Sequence, residues 1–321
     1  MQSPGLAGLV LIVLVHAPLA GQYPPSTPPQ APAPSPVKLS GYIQAREVYQ
    51  SRVGLTGSIN RARLSASSAI LQGVTWRVQG EFRTGSAGTG RASVSLQDAY
   101  VRYNPGAWAV QAGQFKTPFT REFIASLADI ETADRATIVD SLAPKRDIGL
   151  MAEYIYRRIG LWAGVFNGEG QNVTANTDST VLGVVRLAVR LMPHLALGLN
   201  GARYFGDSTR YGVDASYEDD RFALKGEYLG QRRDEASGPD DWGWYGLGAV
   251  FVVPVVQAVA KYEEFDRPGV TSAVRSRAWT AGLNMYPSGR NLRLTFDYLS
   301  RRIGEPGVRK GRLLAQVQAK F

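Results

Sequence analysis

From Lys38 onward, apolar and polar residues alternate with a period of two. In LRLTFDYL (292–299), Leu292, Leu294, Phe296 and Tyr298 share one face, and Arg293, Thr295 and Asp297 share the other. In VTWRVQGEF (74–82), Val74, Trp76, Val78 and Phe82 oppose Thr75, Arg77, Gln79 and Glu81. RFALKGEYL sets Phe222, Leu224 and Tyr228 against Lys225 and Glu227. Successive side chains of an extended strand point to opposite sides, so each run predicts a strand with one apolar and one polar face. About sixteen such runs follow one another, each roughly 8–14 residues long, near the length of a tilted strand that crosses a bilayer. They fall at 38–48, 57–71, 74–84, 93–104, 107–115, 146–157, 160–167, 180–191, 194–205, 209–218, 221–231, 242–253, 255–265, 276–286, 291–301 and 310–321.

The connections alternate too. LQGV, YNPGA, YRRIG, LMPHL, YEDDR, VVPVV and YPSGRN are tight turns. Between them fall VYQSRVGL, TGSAGTGRA, NGEGQNVTANTDS, GQRRDEASGPDD, FDRPGVTSAVRS and RRIGEPGVRK, with FGDST short where a long loop is due. This order predicts an all-β fold: a transmembrane antiparallel up-and-down β-barrel of about sixteen strands, with turns at one rim and loops at the other. A soluble sandwich holds fewer strands and turns its apolar faces inward. Here those faces carry aromatics towards strand ends, among them Trp76, Tyr103, Trp108, Tyr154, Phe222, Trp279, Tyr286 and Tyr298, as a membrane girdle would.

One connection is exceptional. GQFKTPFTREF (113–123) carries a strand straight into a segment that runs to Lys145, far beyond ordinary loop length, which usually signals function. TREFIASLADIET predicts a short helix with Phe123, Ile124, Leu127 and Ile130 as its apolar stripe.

The N-terminus differs in kind. Leu6 to Leu19 is apolar and ends in Pro18-Leu19-Ala20, a small-residue cleavage site, and it is short of the ~20 residues of a membrane helix. Residues 1–20 therefore read as a signal peptide, although MQSPG lacks the usual positive charge. YPPSTPPQAPAPSP follows within a proline-rich, extended linker, residues 21–37, expected in the periplasm, ahead of a barrel over 38–321. At the other end, GRLLAQVQAKF alternates back from Phe321 through Ala319, Val317, Ala315 and Leu313. A closing strand with a terminal aromatic resembles the signal that bacterial outer-membrane barrels present to the barrel-assembly machinery.

Composition narrows the function. The chain has no cysteine, and its only histidines are His16 and His194, so thiolate metal sites are excluded and a His-supported nucleophile has little to be built from. No cofactor is implied, and an enzyme is not expected. A net charge of +9 invites a nucleic acid, an anionic membrane or a small anion as partner. The basic residues alternate with an apolar face instead of clustering on an external one, which argues against nucleic acid. On the predicted register the lumen takes about fifteen basic and about nine acidic residues. Arg61, Arg63, Arg77, Arg83 and Arg102 fall on the second to fourth strands, with Tyr100 and Gln79 among them; Arg186, Arg190, Lys225, Lys261 and Arg293 lie elsewhere around the ring. Lys116, Arg121 and Arg135 belong to the long loop. Arginine and lysine rings favour anions in pores, and the arginine fork suits phosphate oxygens. The competing reading pairs these bases with Glu81, Asp98, Glu153, Glu227 and Asp297, and has Asp129, Glu131 and Asp134 of the loop merely anchor it to wall arginines.

AYVRY (99–103), VQAGQFKTPFTRE (110–122), DRATIVDSLAPKRDIGL (134–150) and FNGEG (166–170) together resemble the phosphate-selective porins O and P. The resemblance implies a trimeric, sixteen-stranded porin in the outer membrane of a Gram-negative-type bacterium, conducting phosphate or other anions. In general porins with sixteen strands, the corresponding loop folds inward and narrows the pore. That places the 116–145 loop at the constriction, with Lys116 marked by the family motif. The expected partners are small anions, outer-membrane lipid, the assembly machinery through Phe321, and two further copies of the chain. The rival is a structural or adhesive barrel that does not conduct.

Overall fold

The computed structural model describes residues 35–85, 90–174, 176, 180–234, 240–268, 274–304 and 308–321. The expected signal peptide, and the linker up to residue 34, lie outside the described residues. The first strands are Lys38–Gln50 (β1), Gly54–Leu71 (β2), Val74–Arg83 (β3), Ser93–Tyr103 (β4) and Trp108–Lys116 (β5). Two short helices follow, Arg121–Ile124 (α1) and Thr137–Leu142 (α2). Then come Arg146–Tyr156 (β6), Ile159–Phe166 (β7), Leu182–Met192 (β8), Leu195–Tyr204 (β9), Ser208–Glu218 (β10) and Phe222–Arg233 (β11). Asp241–Val253 (β12), Val256–Arg267 (β13), Val274–Met285 (β14), Pro287–Arg290 (β15), Leu292–Ile303 (β16) and Val308–Lys320 (β17) complete the chain.

Sixteen of these strands close into one antiparallel barrel, each paired with its neighbour in sequence, and β17 returns to β1. The exception is β15, which lies outside the ring in the YPSGRN connection, read from sequence as a plain tight turn. FGDST is the short turn between β9 and β10, as its length implies. The closing seam ends on Phe321, which exchanges both backbone hydrogen bonds with Gly41, at 2.9 and 3.0 Å. A Cβ on Gly41 would collide with the Phe321 ring and the Arg63 carbonyl, so the seam requires glycine there.

The two-residue period sorts the faces as a membrane requires. Ile43, Leu64, Val78, Leu199 and Leu224 are exposed on the outside, while Gln44, Arg63, Ser65, Gln79 and Glu81 are buried in the lumen. Lipid, not water, is the solvent that favours such a surface, and closure leaves no strand edge with unpaired backbone. Aromatics ring the exterior: Trp108 meets Tyr103 edge-on at 5.5 Å, and Tyr154 stacks on Tyr156 at 6.4 Å. Tyr286 departs from the expected girdle, because its hydroxyl donates to Gln257 at 3.2 Å.

Candidate pore constriction

The segment 117–145 lies inside the barrel and contributes much of the molecule's apolar core. Phe119, Phe123, Ile138, Val139 and Leu142 pack against Met151, Phe166, Leu182, Val184, Leu229, Tyr245, Leu247 and Phe265 of the inner wall. Over β12 the lumen-facing positions are therefore apolar, Tyr245, Leu247 and Ala249 among them, contrary to a uniformly polar lining. Each large side chain buried this way contributes roughly 1.5–3 kcal/mol to docking of the loop.

The helix expected over TREFIASLADIET is a single turn. Thr120, at φ 58°, caps α1 by accepting the Phe123 N–H at 3.1 Å, and the chain turns extended at Ala125. Its carbonyls are taken by side chains instead of by further turns of helix. Lys116 Nζ donates to the carbonyls of Ile124 at 2.9 Å and Ala125 at 2.7 Å. Arg135 donates to those of Glu122, Phe123 and Ala125 at 3.0–3.3 Å. The expected stripe is incomplete, since Phe123, Leu127 and Ile130 are buried and Ile124 is exposed. The second helix, α2, has no side-chain cap of its own. Glu263 of β13 supplies one, accepting the Thr137 N–H at 3.0 Å and its hydroxyl at 2.6 Å. That partner lies 126 residues away, so no local signal announces the helix.

The rest of the loop backbone is held in the same manner. Wall acceptors take its N–H groups: Asn200 from Thr120 at 3.1 Å, Glu227 from Glu122 at 2.6 Å, and Asp297 from Ala133 at 2.8 Å. Wall donors take its carbonyls: Arg293 that of Ile130 at 2.7 Å, Arg46 that of Ala133 at 3.0 Å, Lys261 that of Asp134 at 3.1 Å, and Arg210 that of Leu142 at 3.0 Å. A buried irregular segment must satisfy every backbone group somewhere, and here the barrel wall does much of it. Three loop carboxylates also anchor: Asp134 on Arg46 at 2.9 Å, Glu131 on Lys225 at 2.7 Å, and Asp129 on Lys320 at 2.5 Å. Glu122 is buried in the loop, and its carboxylate accepts the Ala136 N–H at 2.9 Å; burial pushes the carboxyl up to about 7.

Opposite the packed face, a cavity of about 270 Å³ remains between the loop and β2–β6. Arg63, Arg77, Lys116 and Arg146 line it together with Gln79, Asp98, Tyr100, Gln111, Phe115, Ile124 and Ser126. Four cationic side chains thus face one carboxylate. Lys116, Arg63, Arg77 and Tyr100 were legible in the sequence as pore residues, and the fold brings these four together. Tyr100 lies edge-on to Phe115 at 6.0 Å. Arg63 is tied to Glu81, and Arg77 reaches Ser65 at 3.1 Å and Asp98 at 3.6 Å.

The other expected site residues lie apart from this cavity. Arg61 sits within 3.8 Å of Glu81 and donates to Gln44 at 3.3 Å, and Arg83 pairs with Glu81 from the strand's end at 2.5 Å. Arg102 binds Glu153 at 2.6 Å. Arg121 turns to Asp214 at 3.4 Å and Glu218 at 3.6 Å on β10. Arg135 is a strut within the loop, its guanidinium 5.1 Å from the Phe123 ring centroid. Arg146 was missed as a lining residue. It stands at the first position of β6, where Asp98 of β4 accepts from its Nε at 2.7 Å. Its neighbour Asp147 accepts the N–H groups of Ile148 and Gly168, both at 2.7 Å, so one carboxylate ties the RDIG and FNGEG segments together.

These motifs lie within a recognisable unit. Residues 43–189 match the family described as phosphate-selective porin O and P. No curated protein sequence matches the chain. Among solved structures, the barrel is similar to the outer membrane channel DcaP of Acinetobacter baumannii, with TM-score 0.69 and 14% identity over 89% of this chain and 97% of that one. It is equally similar to the loop L8 deletion mutant of OmpT, an outer membrane protein of Vibrio cholerae, at TM-score 0.69 and 12% identity over 89% and 99%. A mutant of the Rh. blastica porin follows at TM-score 0.61 and 14% identity over 89% and 100%. Fold and family match point the same way: the chain is a closed barrel of the kind these outer-membrane proteins form, and its residues 43–189 resemble the phosphate-selective porins.

Proposed function

We propose that the barrel is a porin, a passive, anion-preferring diffusion channel of the outer membrane, with phosphate or polyphosphate among its substrates. The observation that carries this reading is the lining of the cavity beside the loop, four cations to one carboxylate. No bond is made or broken. Anions are gathered by Arg77, Lys116 and their neighbours, and released because each cation already has protein partners and no single site is deep. A channel needs attraction strong enough to fill it and weak enough to empty it. The same reading includes export by the leader over residues 1–20, assembly through Phe321 and a homotrimer. The trimer is supported by similarity to the in-vitro folded OmpT of Vibrio cholerae, described in its trimer form.

The test is single-channel conductance in a planar bilayer, in chloride with phosphate titrated in. Anion selectivity, with chloride current reduced by low phosphate, supports the full reading. A cation-selective channel overturns the anion assignment and leaves the porin standing. A silent bilayer assigns the loop as a plug and the protein as a structural barrel.

A further inference from the structure

The outer face of β13, β14 and β16 carries charge where a lipid-facing surface should carry little. On these strands Trp279, Leu283, Phe296 and Tyr298 are exposed outward. The same parity puts Glu264, Asp266, Arg275, Arg277 and Arg302 on that face, and the register sets Glu264, Arg277 and Arg302 side by side across three strands. Arg275 and Arg277 both bind Glu264, at 2.5 and 3.3 Å. The Arg302 side chain is exposed and makes no hydrogen bond or ion pair among the described residues. The next register position, on β17, is Arg309.

The height of this patch is fixed by its neighbours. Trp244, Tyr262 and Trp279 form a continuous aromatic shelf on the same face, with ring centroids 5.2 and 4.5 Å apart. Indole and phenol rings settle at the boundary between hydrocarbon and headgroups. Arg277 lies two residues beyond Trp279, about 7 Å further along the strand, towards the rim of the long loops. That is headgroup depth. Arginine there has its forked donors at the level of lipid phosphates, and Glu264 holds two of the guanidinium groups next to each other.

We propose that Arg275, Arg277 and Arg302 form an exterior site for the phosphate of a membrane lipid headgroup, separate from the pore. The shelf supports the sugar or glycerol body beside the acyl chains, and the arginines bind the phosphate. The proposal rests on the barrel lying in a membrane.

The porin, folded in zwitterionic micelles and checked for heat-modifiable migration, would be titrated with bisphosphorylated lipid A and with the same lipid dephosphorylated. Retained lipid is read by native mass spectrometry. Wild type should retain the phosphorylated lipid about tenfold more than the triple variant Arg275→Gln, Arg277→Gln, Arg302→Gln, the size expected when charge-assisted hydrogen bonds to one phosphate are lost. The dephosphorylated lipid should not distinguish the two proteins, and Arg77→Gln in the pore should retain lipid as wild type does. Equal retention by the triple variant overturns the proposal, as does displacement of the lipid by millimolar inorganic phosphate, which would make this a site for the free anion. A change in oligomer mass without a change in lipid count would assign the patch to contacts between copies and overturn it as well. Failure of the wild type to form a heat-modifiable barrel would instead overturn the membrane reading.

Discussion

On β2–β6 the arginines bind carboxylates of neighbouring strands: Arg63 and Glu81, Arg102 and Glu153, Arg146 and Asp98. On β10–β16 the same residue types bind the loop: Lys261, Arg293 and Arg210 hold its carbonyls, and Glu227, Glu263 and Asp297 hold its N–H groups. The two halves of the lumen are alike in residue type and differ in what faces them. Where a second layer of chain covers the wall, charge serves backbone satisfaction. Where the loop stands off from the wall, cationic side chains are left lining a cavity. Parity along a strand decides whether a side chain is inside; it does not decide which of these roles the side chain has.

The strongest way to break the contrast is to release the loop. Phe119 is fully buried between loop and wall, and Phe119→Ala removes about 3–5 kcal/mol of packing. The barrel strands do not depend on it, so heat-modifiable migration should persist while single-channel conductance rises severalfold and anion preference falls. Unchanged conductance would mean that the loop does not set the pore width.

A smaller effect separates the two kinds of cation. Arg77 is partly exposed to the cavity, and Arg77→Glu exchanges a positive for a negative charge there, so reversal potentials in a salt gradient should move well towards cation selectivity. Lys116→Met removes one charge and also two hydrogen bonds to the loop, at roughly 1.5–3 kcal/mol for each bond from a charged donor. Its signature should be mixed: a lesser loss of anion preference together with noisier current. If Lys116→Met alters selectivity more than Arg77→Glu does, the assignment of selectivity to the wall arginines of the cavity fails.

The smallest effect concerns pH. Glu122 has its ordinary value at 4.5, and burial raises it to about 7 in the docked loop. Docking carries no ionisation cost below about 4.5, a growing cost between there and 7, and the full cost above 7. Charged and titratable neighbours face Glu122 from several elements: Glu227 and Tyr245 from the wall, Lys261 from β13, and Arg135 and Asp140 from the loop. The wild-type loop should therefore loosen, and its current become noisier, as pH rises through 4.5–7. Glu122→Gln should flatten that difference across the same window. A parallel pH response in both proteins would show that Glu122 does not govern it.

What could be read without a fold was whatever depends on near neighbours in the chain. A period of two, repeated over segments of membrane-crossing length and separated alternately by tight and long connections, leaves a closed barrel as the arrangement that pairs every strand and turns its apolar faces to lipid. The length of the 116–145 connection marked it as special, and Lys116, Arg63, Arg77 and Tyr100 were visible as pore residues because they alternate into the lumen or sit in a recognisable motif. The helix α2 was not visible, because its cap comes from Glu263, and neither was the early end of α1, because Arg135 takes the carbonyls that a longer helix would have used. Arg121 and Arg135 read as selective residues by charge and by their place in the loop, yet Arg121 is occupied by Asp214 of the barrel wall and Arg135 by carbonyls of the loop itself. Sequence by itself determined the strands and most of the residues that face the lumen. Tertiary structure decided which of the lumen's charges are consumed by the loop and which are left lining the cavity, because that depends on contacts between residues far apart in the chain, from 68 positions for Arg210 and Leu142 to 191 for Lys320 and Asp129.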